Sequence, residues 1–379
     1  MNLRADFETA FGRPPEGSWV APGRVNVIGE HTDYNDGFVL PIALPQGVVA
    51  TAARRDDGLL RMVSRQADGR FEIPVDGLKP GDVDGWAAYV AGVVWALREA
   101  GHDVGGLDVL VDGDVPLGAG LSSSAALECA TALAATELYD VAVDRPTLAR
   151  LAQKAENDFV GVPCGIMDQS AALLCERDHA LFIDTRSLAT EQVPLDLAGH
   201  GLALLVIDTK APHRLVDGEY AARRRVCEKV ASDLGVPALR DLENTPIEAT
   251  LARIADDTAR RRVRHVLTEN ERVRQTVSLL RAGSPRDIGP LLTASHASLR
   301  DDYEVTVPEL DTAVDAALDA GALGARMTGG GFGGCVIALV DADAAEAVAR
   351  RVAEAFATAG FRAPQWFVAT PSAGARRLA

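Results

Sequence analysis

Apolar residues follow two different periods along this chain. Short apolar stretches near 18–28, 38–44, 47–53 and 59–63 are broken by Gly, Pro and Asp, which predicts strands. At 85–99 the spacing changes: Trp86, Tyr89, Val90, Val93, Val94 and Leu97 share one helical stripe. Residues 107–111 predict a short strand, 121–138, 145–158 and 166–175 predict helices, and 181–184 and 202–208 return to strands. The second half is more helical, with 217–234, two or more helices within 248–281, then 286–300 and 308–320. Pro308 suits a first helical turn. Strands at 325–328 and 336–340, a helix at 344–359 and a strand at 365–369 close the pattern. Strands interleaved with helices predict an α+β or α/β protein. The charged, proline-containing stretch 189–201 separates two strands and places the expected boundary between domains 1–195 and 196–379.

A length of 379 residues agrees with two or three domains. Hydrophobic residues at 47% and charged residues at 24% are ordinary for a globular chain, but the net charge is −16. That balance argues against nucleic-acid and membrane-surface binding, since both favour basic patches. Only four of the 38 basic residues are lysines (Lys79, Lys154, Lys210 and Lys229). The first nine residues carry Arg4, Asp6 and Glu8 and predict no signal peptide, and no apolar run is long enough to span a membrane. Five scattered cysteines without a C-x-x-C pair predict a reduced, cytoplasmic protein without structural zinc.

Residues 116–126 (PLGAGLSSSAA) join a predicted strand to a predicted helix. Gly118 and Gly120 let the backbone approach a ligand, and a helix start offers unpaired N–H groups. The segment reads either as an anion site suited to phosphate or as a glycine turn with serine caps. It is not a P-loop, because no Gly-Lys pair occurs in the chain, and neither Arg24 nor Arg214 is placed to replace that lysine. A second cluster, 327–335 (MTGGGFGGC), formally contains G-x-G-x-x-G at Gly329, Gly331 and Gly334. A strand rather than a helix is predicted after it, which is the wrong context for a dinucleotide fold. A ligand-facing loop is the better reading, because so many glycines are costly to order.

Residues 23–37 place Glu30, His31, Asp33 and Asn35 between two apolar strands. Such a set suits several hydroxyl groups, as a sugar presents, or a solvated loop. Arg24 lies inside an apolar strand pattern and needs a partner there. Residues 155–169 add Glu156 at the end of one helix and Asp168 in the first turn of the next. Gly161, Pro163 and Gly165 shape the loop between them. Motifs of serine hydrolases and zincins are absent. The other histidines are scattered, and His213, near Tyr220, is the one singled out.

These segments occur in a familiar order. Residues 23–34 (GRVNVIGEHTDY) resemble the galactokinase signature, and 116–126 resemble the second motif of the GHMP kinases. Residues 325–335 (ARMTGGGFGGC) resemble their third motif, and 156–169 resemble the galactokinase catalytic segment. The resemblance implies an α+β, two-domain GHMP kinase fold, with an N-terminal half like a ribosomal-protein-S5 domain and a C-terminal ferredoxin-like α/β half with extra helices. It implies transfer of phosphate from ATP to the anomeric hydroxyl of galactose. By the same resemblance Asp168 matches a catalytic base and Arg24 its stabilising neighbour. Glu30, His31, Asp33, Gly165 and Tyr220 match the sugar pocket. Gly118, Ala119, Gly120, Leu121, Ser122, Ser123 and Ser124 match the ATP phosphate loop, with Ser64 as a further nucleotide contact. Ser124 and Glu156 match the Mg2+ ligands. The expected partners are galactose and MgATP alone, bound by a monomer.

Overall fold

The structure is a computed structural model that describes residues 2–211 and 216–378. His213 and Arg214 lie outside the described residues. Six strands form the first sheet: β1 (Gly17–Asn26), β3 (Pro41–Arg55), β4 (Leu59–Ser64), β5 (Arg70–Pro74), β6 (Gly106–Gly113) and β13 (Arg376–Arg377). Their order is β13-β1-β3-β6-β4-β5, with β4 and β6 parallel and the other pairs antiparallel. A small sheet has the order β2 (Phe38–Val39), β7 (His179–Asp184), β8 (Ala189–Pro194). The third sheet has the order β10 (Gly324–Thr328), β11 (Cys335–Asp341), β9 (Leu202–Asp208), β12 (Gln365–Ala369) and is antiparallel throughout.

One face of the first sheet buries Trp19, Ala50, Leu60, Met62 and Val109 under the helices Trp86–Glu99 and Ser123–Leu138. Its other face is partly covered by the helix Leu3–Phe11, whose Phe7 packs on Ala53 and Leu110. The helix Ser123–Leu138 has almost no polar face: residues 125–136 are all buried. A helix apolar on every side belongs inside a protein, and this one runs through the core.

The third sheet separates two cores. Strands β9 (LALLVID) and β11 (CVIALVD) are almost unbroken apolar runs, so both of their faces must be covered. Because side chains alternate along a strand, Leu202, Leu204, Val206, Ile337 and Leu339 enter the first core. Ala203, Leu205, Ile207, Val336 and Ala338 enter the second. The helix Asp257–Arg281 passes between the two, placing Val263 and Val266 in one core and Val273 and Val277 in the other.

Most predicted elements are present, and the departures have physical causes. The two apolar stretches at 38–44 and 47–53 merge largely into β3, because pairing to β1 resumes on the far side of a register shift between Pro22 and Arg24. The helix expected from Leu121 begins at Ser123, since Ser122 adopts a left-handed backbone (φ 58°). The helix expected over 145–158 stops as an α-helix at Lys154 and continues as a wider π turn, Ala155–Val160. The stretch 189–201 contains β8 rather than a bare linker. Helix Leu3–Phe11 and strands β5 and β13 carry weak patterns and had no predicted counterpart. Among the described residues no helix is long and apolar enough to cross a membrane.

Leu205→Ala on the central strand should destabilise the protein by about 2–5 kcal/mol, as large-to-small changes in a packed core do. Leu117→Ala, at a side chain 73% exposed, should change stability by less than about 0.5 kcal/mol. Denaturation midpoints of the two variants check this. Equal midpoints would contradict the placement of Leu205 in the wall between the cores.

Candidate active site

Strand β1 breaks register with β3 between Pro22 and Arg24, and the irregularity re-aims Arg24. Its guanidinium is buried and forms a fork on the carboxylate of Asp168, in the first turn of helix Met167–Leu174. Nε donates to Oδ1 at 2.8 Å and Nη2 to Oδ2 at 2.7 Å. The third nitrogen, Nη1, donates to the Gly120 carbonyl at 2.7 Å. The Ser122 hydroxyl also donates to Asp168 Oδ2. One arginine therefore joins the carboxylate to the glycine–serine loop, 144 and 96 residues away in sequence.

Beside this fork lies a small cavity of about 140 Å3, lined by Arg24, Glu30, His31, Asp33, Gly165, Met167, Asp168, Tyr220, Gly329 and Gly330. The structure thus gathers every residue assigned to the sugar pocket from the sequence. Asp33 accepts from the Tyr34 amide through Oδ1 at 3.0 Å. Burial, reinforced by the charge of Asp168, raises its pKa to about 6. A Cβ on residue 165 would lie 1.7 Å from Asp33 Oδ2, so only glycine allows this approach.

Glu30 and His31 have protein partners as well as the cavity. Glu30 Oε1 accepts from the Gly329 amide (2.8 Å) and the Thr328 hydroxyl (3.2 Å). Its Oε2 accepts from Asn26 Nδ2 (2.7 Å) and lies 2.7 Å from Arg326 Nη2, an ion pair off the hydrogen-bond axis. His31 bonds the Gly330 carbonyl through Nε2 (3.1 Å) and the Tyr34 hydroxyl through Nδ1 (2.7 Å). A carbonyl only accepts, so Nε2 carries the proton and Nδ1 accepts from Tyr34. Burial, with His265 adding to it, lowers the His31 pKa to about 3. Both side chains therefore also hold the glycine-rich connection between β10 and β11.

A second cavity, of about 310 Å3, opens on the other side of the glycine–serine loop. Val48, Val111, Val115, Trp86, Tyr89 and Leu127 make it apolar, and Ser64, Gln66, Ser123 and Ser124 supply polar groups. It has the character of a nucleobase site ending at a helix N-terminus. Ser122 places no side-chain cap on that helix. Gly118 and Gly120 have positive φ, Ala119 and Leu121 are buried, and the Leu121 carbonyl accepts from the Arg24 amide at 3.1 Å.

Glu156 projects from the π turn and is 5% exposed. Burial, with Asp168 nearby, raises its pKa, and Ser124 acts in the opposite direction. Among the described residues there is no cluster of three or more His, Cys, Asp or Glu able to hold a metal. One carboxylate and one hydroxyl nevertheless fit Mg2+, a hard cation that keeps several waters and takes phosphate oxygens.

Sequence reasoning missed Glu128, Gln169, Glu269, Tyr303 and Arg326, all of them buried. Glu128 and Arg326 carried a usable signal. Each is a lone charge inside an apolar run, as Arg24 is.

Three family descriptions match the chain: a galactokinase galactose-binding signature over residues 5–54, the GHMP kinase N-terminal domain over 88–176, and the GHMP kinase C-terminal domain over 276–358. A galactokinase of Streptomyces coelicolor is 56% identical over 98% of this chain and 97% of its own length. The chain belongs to the galactokinase family. The crystal structure of Lactococcus lactis galactokinase complexed with galactose matches with a TM-score of 0.94 at 36% identity, over 99% of each chain. Methanococcus jannaschii mevalonate kinase shares the fold at 15% identity, with a TM-score of 0.67 over 94% of this chain and 98% of its own. The expected α+β GHMP kinase fold is therefore present, and ATP use follows from membership of a kinase family.

The buried ring of His31 should stay neutral, with its proton on Nε2, from pH 8 down to pH 5. Imidazole 15N NMR reads this directly. A His31 titration near the ordinary value of about 6.5 would contradict its placement.

Proposed function

We propose that this enzyme transfers the γ-phosphoryl group of ATP to the anomeric hydroxyl of α-D-galactose, giving galactose 1-phosphate and ADP. The observation that carries the reading is the Arg24 side chain, which bonds Asp168 in the hexose-sized cavity and Gly120 in the phosphate loop. The family and the galactose complex of its Lactococcus relative support the choice of sugar.

Phosphoryl transfer depends mainly on alignment and charge stabilisation. The sugar hydroxyl oxygen attacks the γ-phosphorus while the bond to the β-phosphate oxygen breaks. Asp168 accepts the hydroxyl proton. Its two oxygens offer about four lone-pair sites. Arg24 takes two and Ser122 one, which leaves one on Oδ1 for the substrate. The fork makes Asp168 as much an orienting group as a base. Asp33 Oδ2, facing Gly165, accepts from another sugar hydroxyl. Glu30, His31 and Tyr220 complete the pocket wall. The uncapped N–H groups at Ser123 and Ser124 face the phosphates, and Ser64 contacts the base. Ser124 and Glu156 would hold Mg2+, which would neutralise charge on the phosphates.

All of these residues come from one chain, so the reading needs only a monomer. The chain divides near residue 195, and the pocket draws on residues from both sides of that point. Five free cysteines, four of them buried, suit a reducing cytoplasm.

ADP release across galactose, N-acetylgalactosamine, galacturonate and arabinose tests the function. Turnover with galactose is expected, and turnover only with another sugar, or binding without turnover, would overturn the reading. Asp168→Asn should lower kcat at least ~10²-fold while ATP still binds by calorimetry. Near-normal turnover would remove Asp168 from this role.

Galactose affinity should also depend on pH through Asp33. With a pKa of about 6 the carboxylate accepts a hydroxyl at pH 7 and is largely protonated at pH 5. Galactose affinity should fall about tenfold over that interval and ATP affinity should not. A flat calorimetric profile for galactose would contradict this role.

A further inference from the structure

Behind the loop that joins the two cavities lies a buried polar cluster that the reaction does not use directly. Gln169 follows Asp168 on the same helix and is fully buried. Its Nε2 donates to Glu156 Oε2 at 2.6 Å and to Glu128 Oε2 at 3.1 Å, with Cys164 Sγ at 3.7 Å. The amide orientation is determined by these neighbours, since a flipped amide would set its oxygen against two carboxylates. Glu128 lies one helical turn beyond Ser124 on the same helix face and is fully buried. Its Oε1 and Gln169 Oε1 have no hydrogen-bond partner.

An apolar side chain at 128 would suit a helix that is otherwise apolar there. A buried carboxylate with an unpartnered oxygen is the costlier choice. What Glu128 does touch is the Gln169 amide, and that amide touches Glu156. The three side chains come from three separate elements: the helix Ser123–Leu138, the π turn Ala155–Val160 and the helix Met167–Leu174. Holding Glu156 Oε2 from behind fixes the plane of its carboxylate. Metal carboxylates are commonly oriented by such outer partners, whose loss weakens metal binding by about 10–100-fold.

We propose that Gln169 is a positioning residue for the divalent cation: its amide fixes the Glu156 carboxylate, and Glu128 fixes the amide. This rests on the reading of Ser124 and Glu156 as the cation's protein ligands. Because Gln169 neighbours Asp168, one helical turn then carries both the group that orients the hydroxyl and the group that orients the metal ligand.

The test measures Mn2+ binding to the full-length protein saturated with ADP, with free Mn2+ read by electron paramagnetic resonance. Galactose binding is measured in parallel by calorimetry. Gln169→Met should weaken Mn2+ about tenfold or more and leave galactose affinity within about twofold. Glu128→Met should act in the same direction. Glu128→Gln should restore most of the Mn2+ affinity, because its amide oxygen still accepts from Gln169. Glu156→Gln is the reference arm. If it weakens Mn2+ and Gln169→Met does not, the positioning role is wrong while the ligand reading stands. If Glu156→Gln leaves Mn2+ binding unchanged, the ligand reading fails and this proposal falls with it. Equal loss of Mn2+ and galactose in Gln169→Met would mark a merely structural residue and overturn the proposal.

Discussion

A guanidinium with no exposure to solvent, that of Arg326, sets the geometry on which the site depends. A buried charge must be paired and hydrogen-bonded, or the fold does not tolerate it. Arg326 donates to the carbonyls of Asn26 and Val27, both at 3.2 Å, and to the Ser295 hydroxyl at 3.1 Å. It pairs with Glu30 at 2.7 Å and approaches Glu269 at 3.8 Å. These partners come from the end of β1, the turn after it and two helices. Satisfying one side chain therefore fixes β10 against the strand that carries Arg24. The glycine-rich connection follows from β10, and Glu30 and His31 hold it at Gly329 and Gly330. A Cβ on residue 329 would lie 3.1 Å from the Gly120 carbonyl. The constraint thus passes from a buried ion pair to the loop that faces phosphate.

This arrangement carries backbone strain of its own. His31, Ser122 and Phe332 adopt left-handed backbone conformations that cost a non-glycine residue roughly 1–3 kcal/mol each. Ser122 turns its hydroxyl onto Asp168 and leaves the helix start uncapped. His31 reaches Gly330. In both cases the strained residue makes a contact that a relaxed turn would direct elsewhere. The two packed cores, with the sheet β10-β11-β9-β12 between them, supply the rigidity that keeps these residues in place.

Much of this was legible in the sequence because the relevant signals are local. Strands β9 and β11, the stripe at 85–99 and the glycine–serine loop declare themselves through short-range periodicity and turn chemistry. Arg24 was marked as needing a partner by its place in an apolar strand, and Asp168 is that partner. What stayed hidden depends on distant pairing. The start of helix Ser123–Leu138 is moved by a backbone choice at Ser122 made for Asp168, 46 residues away. The π turn that aims Glu156 reads as ordinary helix in sequence. Glu128, Gln169 and Arg326 gain their roles only when elements distant in sequence meet, and no spacing rule reports that meeting.

The charge of the assembled site completes the physical picture. Burial, and after it the charge of Asp168, raises the cost of ionising Asp33 and Glu156, and burial with Glu156 nearby does the same to Glu128. Among the described residues lining the smaller cavity, Arg24 is the only cation. In a chain of net charge −16, a triphosphate meets few positive groups there. Surface charges are largely screened beyond about 8 Å at physiological salt, so the overall acidity matters less than the groups in direct contact. Helix N–H groups, hydroxyls and one arginine carry less positive charge than a triphosphate brings in negative charge. On the proposed reading, the missing charge has to arrive with the nucleotide as its divalent cation. Glu156, already crowded by other carboxylates, gains more from that cation than an isolated carboxylate would, because the ion offsets repulsion that the fold has built in.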